Sequence, residues 1–355
     1  MPNRKARGQT RVHVLYTGGT FGSKPDSHSV DEALAPMELA ELNPLLPATA
    51  GIVPGVEVTV EQSRRLLDSS SMTPGDWRDI ALGLEARYDR YDGFVILHGT
   101  DTLAYTASAL SFMLENLAKP VVITGSQRPL IEAGSDAPRN YANALKIAAG
   151  ESAGLPRIPE VVVAFGSRLL RGCRTRKLSA SALDAFDSPN TKPLGRLGDE
   201  IQVFASRLRP PPAIHAALLR HSKLETGVID ITLFPGQHAD YLSAVLGLEG
   251  VKGVVLRSFG GGNAPEDAAF LKALKAGIAA GDKIAVNVSQ CLEGRVDMDR
   301  YAAGAGLRDC GVVSGLDMTP EAALCKLMIV LAQADGDEAR AAMQSDWRGE
   351  LTPAG

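Results

Sequence analysis

Phe94-Val95-Ile96-Leu97-His98-Gly99-Thr100-Asp101-Thr102-Leu103 decides the architecture. Four apolar residues run without interruption into a Gly-containing turn, and Leu103–Leu117 then shows apolar residues at three- and four-residue spacing. A short continuous apolar run suits a strand buried on both faces of a parallel sheet, and the following spacing suits a helix packed against it. The same unit recurs in both directions along the chain. Val12–Tyr16 precedes Thr17-Gly18-Gly19-Thr20, Val121–Ile123 precedes Thr124-Gly125-Ser126, and Val161–Phe165 precedes Gly166-Ser167. Asn140–Ala149 reads as a second helix. Strands alternating with helices predict an α/β fold with a mostly parallel sheet flanked by helices.

Arg207-Leu208-Arg209-Pro210-Pro211-Pro212 breaks the pattern, because successive prolines continue neither a helix nor a central strand. The alternation then restarts. Val228–Leu233 ends in Pro235-Gly236, Val254–Leu256 is followed by Gly260-Gly261-Gly262-Asn263, and Ile284–Val288 ends in Ser289-Gln290. Thr319-Pro320-Glu321 reads as the cap and first turn of a last helix. We therefore expect a larger N-terminal α/β domain over 1–205, a Pro-rich linker over 206–222, and a smaller C-terminal α/β domain over 223–355. A chain of 355 residues exceeds the size at which one core usually stops growing, which fits two domains.

Composition narrows the function. Lys+Arg total 37 against 41 Asp+Glu, and aromatics are 5%, so neither a basic patch for nucleic acid nor stacking platforms are expected. After Arg4, Lys5, Arg7 and Arg11, the run Val12–Tyr16 is too short for the core of a signal peptide. The longest apolar stretch, Ala322–Ala332, is interrupted by Lys326 and falls short of a membrane span. Four cysteines without a C-x-x-C pair suit a reducing compartment, so a cytoplasmic location is expected. The six histidines show no metal-ligand spacing, and we expect no metal and no cofactor. Gly150-Glu151-Ser152-Ala153-Gly154 matches the letters of a nucleophile elbow, but a helix precedes it and no helix follows.

What remains is a set of hydroxyl residues at strand ends, where ligands bind in open parallel sheets. Thr20 follows two glycines, whose N–H groups can face a developing oxyanion. Thr100-Asp101 ends a second strand. Alone, Asp101 reads equally as the N-cap of the Leu103 helix, and Lys177 in Arg171–Lys177 reads as part of a solvated basic loop.

Together, Thr17-Gly18-Gly19-Thr20 and His98-Gly99-Thr100-Asp101-Thr102-Leu103 resemble the two signatures of the bacterial-type L-asparaginase family. Asp68-Ser69-Ser70-Ser71-Met72-Thr73-Pro74, Thr124-Gly125-Ser126-Gln127-Arg128-Pro129, Arg257-Ser258-Phe259 and Asp317-Met318-Thr319-Pro320-Glu321-Ala322 resemble its cytoplasmic, type I branch. The resemblance spans about residues 11–333. It implies hydrolysis of L-asparagine to L-aspartate and ammonia. Thr20 matches the nucleophilic threonine, Thr100 the second threonine, Lys177 the catalytic lysine, and Asp101 the aspartate that takes the α-amino group and holds the lysine. Asp68, Ser69 and Ser70 match the segment binding the α-carboxylate and amino ends, and Ser126 lines the amide pocket. Asn263 matches a position reaching into a neighbouring subunit's site, which implies a homodimer or homotetramer. Arg257, Ser289, Gln290 and Cys291 resemble a regulatory asparagine site. The family's activating loop tyrosine is missing from Phe21–Glu32; His28 in that stretch reads as a solvated loop histidine before it reads as a stand-in, and Tyr301 resembles a tyrosine that some type I enzymes direct at the site. The missing tyrosine leaves open a catalytically weak or silent amino-acid-binding protein on the same scaffold.

Overall fold

The computed structural model describes residues 9–26, 34–300 and 302–353. The chain divides into two compact units, 1–188 with 192–220, and 189–191 with 221–355. The Pro-rich segment therefore runs largely with the first unit, where Leu219–Arg220 pairs antiparallel with Leu114–Glu115.

The first unit carries an eight-stranded sheet. Its strands are β1 (Arg11–Gly18), β2 (Glu57–Leu67), β3 (Gly93–Leu97), β4 (Val121–Thr124), β5 (Val161–Phe165) and β6 (Arg168–Arg171). The hairpin β7 (Arg176–Lys177) and β8 (Phe186–Asp187) stands apart from that sheet, and β9 (Gly195–Leu197) and β10 (Ile201–Val203) complete it. The order is β10-β9-β6-β5-β4-β3-β1-β2, with β1 to β5 parallel and the far edge antiparallel. The continuous apolar runs have the cause expected of them: every residue of β3, β4 and β5 is buried. Helices α1 (Pro74–Arg87), α2 (Leu103–Met113) and α3 (Ala137–Ala149) join the strands. Helix α3 begins three residues before the predicted Asn140. Pro138 sits in its first turn, where a missing N–H costs nothing.

This topology fixes where a site can form. From β1 the chain steps to the edge at β2, then returns across β1 to β3 and continues outward to β4 and β5. The crevice at that reversal, outside the carboxyl ends of β1 and β3, is the position where open α/β sheets bind ligands. The two strands run in register from Val12 opposite Gly93 to Tyr16 opposite Leu97, so the turns after them leave the sheet at the same level.

The second unit has a four-stranded parallel sheet in sequential order, β11 (Val228–Thr232), β12 (Gly253–Ser258), β13 (Ile284–Ser289) and β14 (Val313–Ser314). Helix α4 (Pro320–Val330) starts as predicted, with the Thr319 hydroxyl accepting from the Ala322 N–H at 3.1 Å. Lys326, which breaks the apolar run, is fully buried there. Its ammonium donates to Glu350 Oε1 at 2.6 Å and to the carbonyls of Met343 and Ser345. Burial alone would push the Glu350 carboxyl up. The Lys326 charge and the N–H groups of Arg348 and Trp347 outweigh it and hold the group below its usual range. Removing one partner of such a pair strands a buried charge. Glu350→Ala is expected to destabilise the protein by about 3–5 kcal/mol, read as a lower urea midpoint. The paired Lys326→Met/Glu350→Leu exchange should recover most of that loss. Among the described residues, no helix is long and apolar enough to cross a membrane.

Candidate active site

The turn after β1 is built on backbone that only glycine tolerates. Gly18 has φ +104° and Gly19 φ +79°, and a Cβ on Gly19 would lie 2.3 Å from Gly99 Cα. The two signature turns thus touch backbone to backbone at Gly19 and Gly99. Thr20, partly buried, opens a short 3₁₀ turn to Gly22. That turn is pinned from below: the Ser23 hydroxyl donates to Gly19 O at 2.9 Å and the Tyr16 hydroxyl to Gly22 O at 3.1 Å. Burial holds the Tyr16 phenol well above its ordinary range, so it remains a donor.

The turn after β3 is held by His98, which is completely buried. Its Nδ1–H donates to Gly99 O at 2.6 Å, which leaves Nε2 to accept from the Thr106 hydroxyl at 2.8 Å. Burial pushes this imidazole down to about 4, against an ordinary value of 6.5. The folded form therefore resists the proton that the unfolded chain accepts. Stability from this group is complete above pH 6.5 and is lost as pH falls to 4, by about 3 kcal/mol in all. Urea midpoints measured at pH 7.5 and pH 5 are expected to fall with acid, and His98→Asn is expected to flatten that slope.

On this support stand the reactive groups. Thr100 is buried, and Lys177 Nζ lies 2.8 Å from its Oγ1 and 2.6 Å from Asp101 Oδ1. Asp101 does not cap helix α2; that position belongs to Thr102, whose hydroxyl donates to Ser69 O at 2.7 Å. Asp101 is 61% exposed, so it can meet a ligand while holding the lysine. Lys177 sits on β7, opposite Phe186, and is not in a solvated basic loop. Of its basic neighbours, Arg174 is buried and Arg171 is bound to Glu160 at 2.6 Å.

Ser69 is buried beneath the same turn, and a Cβ on Gly99 would meet its Oγ at 2.7 Å. Asp68 Oδ1 accepts from the Ser70 hydroxyl at 2.6 Å and the Ser70 N–H at 2.8 Å. These two bonds, with a smaller contribution from the nearby Lys177 charge, hold the Asp68 carboxyl below its usual range. Ser126, after β4, is buried and turns its hydroxyl to Arg128 O at 2.6 Å. The two abutting turns thus carry two threonines, with a lysine bonded to one of them and to the Asp101 carboxylate. This set suits attack on a carboxamide and offers no cluster that could hold a metal among the described residues.

Comparison with known proteins agrees with this geometry. Residues 11–209 match the family model for the asparaginase N-terminal domain, and residues 228–343 match that for the glutaminase/asparaginase C-terminal domain. The chain belongs to the asparaginase family. It is 45% identical to L-asparaginase 1 of Escherichia coli (strain K12) over 96% of this chain and 98% of that protein. The crystal structure of L-asparaginase I from Vibrio cholerae superposes with a TM-score of 0.85 at 41% identity, covering 97% of this chain and 99% of that one. The thermostable L-asparaginase from Thermococcus kodakarensis gives 0.84 at 35%, over 97% and 100%. The predicted two-domain α/β architecture and the type I resemblance are both borne out.

The remaining residues that the asparaginase resemblance singled out lie in the second unit. Asn263 closes a tight turn, exchanging backbone hydrogen bonds with Phe259 at 2.8 and 2.9 Å, and its buried Oδ1 has no hydrogen-bond partner among the described residues. Arg257 grips Asp230 with Nε at 2.8 and 2.9 Å from its two oxygens. Gln290 Nε2 donates to Leu233 O and Arg257 O, while the Ser289 hydroxyl donates to Gly260 O and accepts from the Cys291 N–H. These four residues therefore gather at the carboxyl ends of β11, β12 and β13. Tyr301 and His28 lie outside the described residues.

Asp136, Asn140 and Asp184 also hold the turns of the site, and no motif in the sequence marks them. Asp136 accepts the N–H groups of Gln127 and Arg128, Asn140 reaches Gly125 and Gly166, and Asp184 binds Ser167. Each is bonded to a turn beyond its own element, which no periodicity marks.

Proposed function

We propose that this asparaginase-family chain is an L-asparaginase of the type I branch, converting L-asparagine to L-aspartate and ammonia with Thr20 as nucleophile. The observation that carries the reading is the 2.8 Å contact between Lys177 Nζ and Thr100 Oγ1 beside Asp101, at the turn that abuts Gly19-Thr20. A hydroxyl attacks an amide only when a base takes its proton. Lys177 Nζ donates to Thr100 Oγ1 at 2.8 Å, and the proton path of the reaction runs along this contact, from the threonine hydroxyl to the lysine when Lys177 serves as base. Thr20 Oγ attacks the amide carbon, main-chain N–H groups hold the oxyanion, and ammonia departs with the proton. Water, deprotonated through Thr100 and Lys177, then cleaves the threonyl ester and restores the hydroxyl. Asp101 and the anionic Asp68 take the α-amino group, Ser69 and Ser70 the α-carboxylate, and Ser126 lines the amide pocket.

Family membership supports further parts of the reading. The working form is a cytoplasmic homodimer or homotetramer in which Asn263 reaches a neighbouring subunit's site. Tyr301 supplies part of the activation that the missing loop tyrosine gives elsewhere, so Tyr301→Phe is expected to lower kcat severalfold in steady-state assays. Arg257, Ser289, Gln290 and Cys291 form a regulatory asparagine site, and the rate is expected to depart from a hyperbola in asparagine concentration.

The test is ammonia release by the purified chain, with asparagine and with glutamine. Turnover of asparagine is expected, with glutamine far slower. Calorimetric binding of asparagine without ammonia would replace the enzyme by a silent amino-acid binder.

A further inference from the structure

We propose that Asn140 is a positioning residue of this site, tying the amide-pocket loop to the turn that anchors the lysine hairpin. The inference rests on the hydrolytic reading above. Asn140 lies in the first turn of helix α3 and is 1% exposed. A buried carboxamide is costly unless it is fully hydrogen-bonded, and the helix itself would be served as well by alanine. Its polarity is spent on two loops. Nδ2 donates to Gly125 O and to Asp136 Oδ2, both at 3.0 Å, and Oδ1 accepts from the Gly166 N–H at 3.1 Å. Every edge of the amide is matched. The flipped orientation would set an N–H against the Gly166 N–H and a lone pair against the Gly125 carbonyl.

Each end of this bridge leads to a reactive group. On one side, Asp136 accepts from the Gln127 N–H at 3.0 and 3.1 Å and from the Arg128 N–H at 3.1 Å. The segment around Ser126 is thereby clamped through its own backbone. On the other side, the residue after Gly166 is held by Asp184: the Ser167 N–H donates to Oδ1 at 2.7 Å and the hydroxyl to Oδ2 at 3.0 Å. Asp184 stands two residues before Phe186, which is paired with Lys177 and packs edge-on against Phe165 with ring centroids 4.8 Å apart. A strand pair only two residues long has little pairing of its own to hold a lysine in place. The bonds at Gly166-Ser167 supply that hold, and Asn140 fixes this turn against Gly125.

A kinetic signature separates this role from simple packing. Of the α-amino and α-carboxylate contacts of the proposed site, Asp68, Ser69 and Ser70 do not run through Asn140, and Asp101 is joined to it only by way of Lys177. Loss of the bridge therefore misplaces the amide pocket and the lysine while leaving ground-state binding intact, and displacement of about 1 Å can cost on the order of a hundredfold. Asn140→Asp keeps the shape and the acceptor for Gly166 but sets lone pairs against Gly125 O and Asp136. It is expected to lower kcat for asparagine by roughly 10- to 100-fold with KM changed less than about threefold. The exposed Asp184→Ala, which cuts the far link without touching the core, is expected to show a smaller loss with the same kcat signature. Asn143→Ala, on the same helix, is the packing control, since its buried Nδ2 has no hydrogen-bond partner among the described residues. It is expected to lower Tm without lowering kcat. Folded Asn140→Asp and Asp184→Ala proteins with wild-type kcat would overturn the proposal, as would a loss confined to KM or an equal kcat loss in Asn143→Ala. A wild-type protein that releases no ammonia would instead overturn the hydrolytic reading beneath it.

Discussion

Lys177→Met is expected to lower kcat for asparagine by about a thousandfold or more, with KM within a few fold of wild type and an unchanged circular dichroism spectrum. Transfer of a proton to a placed base contributes roughly 10²- to 10⁴-fold, and among the described residues Lys177 is the group that contacts both Thr100 and Asp101. Its side chain is 18% exposed and lies on a short hairpin, so methionine fills the same stem without opening the core. Asp101 loses its partner but remains open to the substrate's amino group, which is why KM should hold. Steady-state kinetics on the purified variant decide the matter. Retention of a tenth or more of wild-type kcat would remove Lys177 from the chemistry.

Gly19→Ala is expected to be nearly as severe, for a different reason. Gly19 combines φ 79° with ψ 178°, a region open in practice to glycine alone. A Cβ there would also sit 2.3 Å from Gly99 Cα and 2.5 Å from Gly99 N. Both obstacles are backbone, so no side chain can move aside. The Thr20 turn and the Thr100 turn must separate, and kcat/KM should fall at least about a hundredfold, since small displacements of reacting groups cost that much. Strain of this kind should also lower stability by about 1–3 kcal/mol. Gly51→Ala is the control: in the short helix Thr49–Ile52, a Cβ meets nothing within 4 Å. That exchange should leave activity unchanged and stability equal or slightly higher.

The parts of this molecule that were legible from sequence are those whose signal is local. Phe94–Leu97 and Val161–Phe165 declare themselves because strands covered on both faces must be apolar at every position. Thr20 and Thr100 follow such strands directly, so their place at the sheet's ligand-binding edge could be read. Helix α3 starts at Ala137, ahead of the predicted Asn140; its apolar spacing begins only after Pro138, although proline in a first turn is itself a start signal. Lys177 was different. A two-residue strand has no period, and only family likeness distinguished it from a surface lysine. Asn140 was invisible for a related reason: its partner Gly166 lies 26 residues away, and the bond exists only once β4 and β5 are side by side. Lys326 showed the same limit from the other direction. Its break in an apolar run marked the absence of a membrane span, while its ion pair with Glu350, 24 residues on, needed the fold.

Thr100 and Lys177 act as one proton-transfer unit in the proposed reaction, and a double-mutant cycle measures that directly. Steady-state kcat for asparagine would be determined for wild type, Thr100→Val, Lys177→Met and the double variant. Groups that act together are strongly non-additive. Either single change is expected to cost about as much as both, so the double variant is within a few fold of each single one. Losses that multiply, or a Thr100→Val enzyme as fast as wild type, would contradict it.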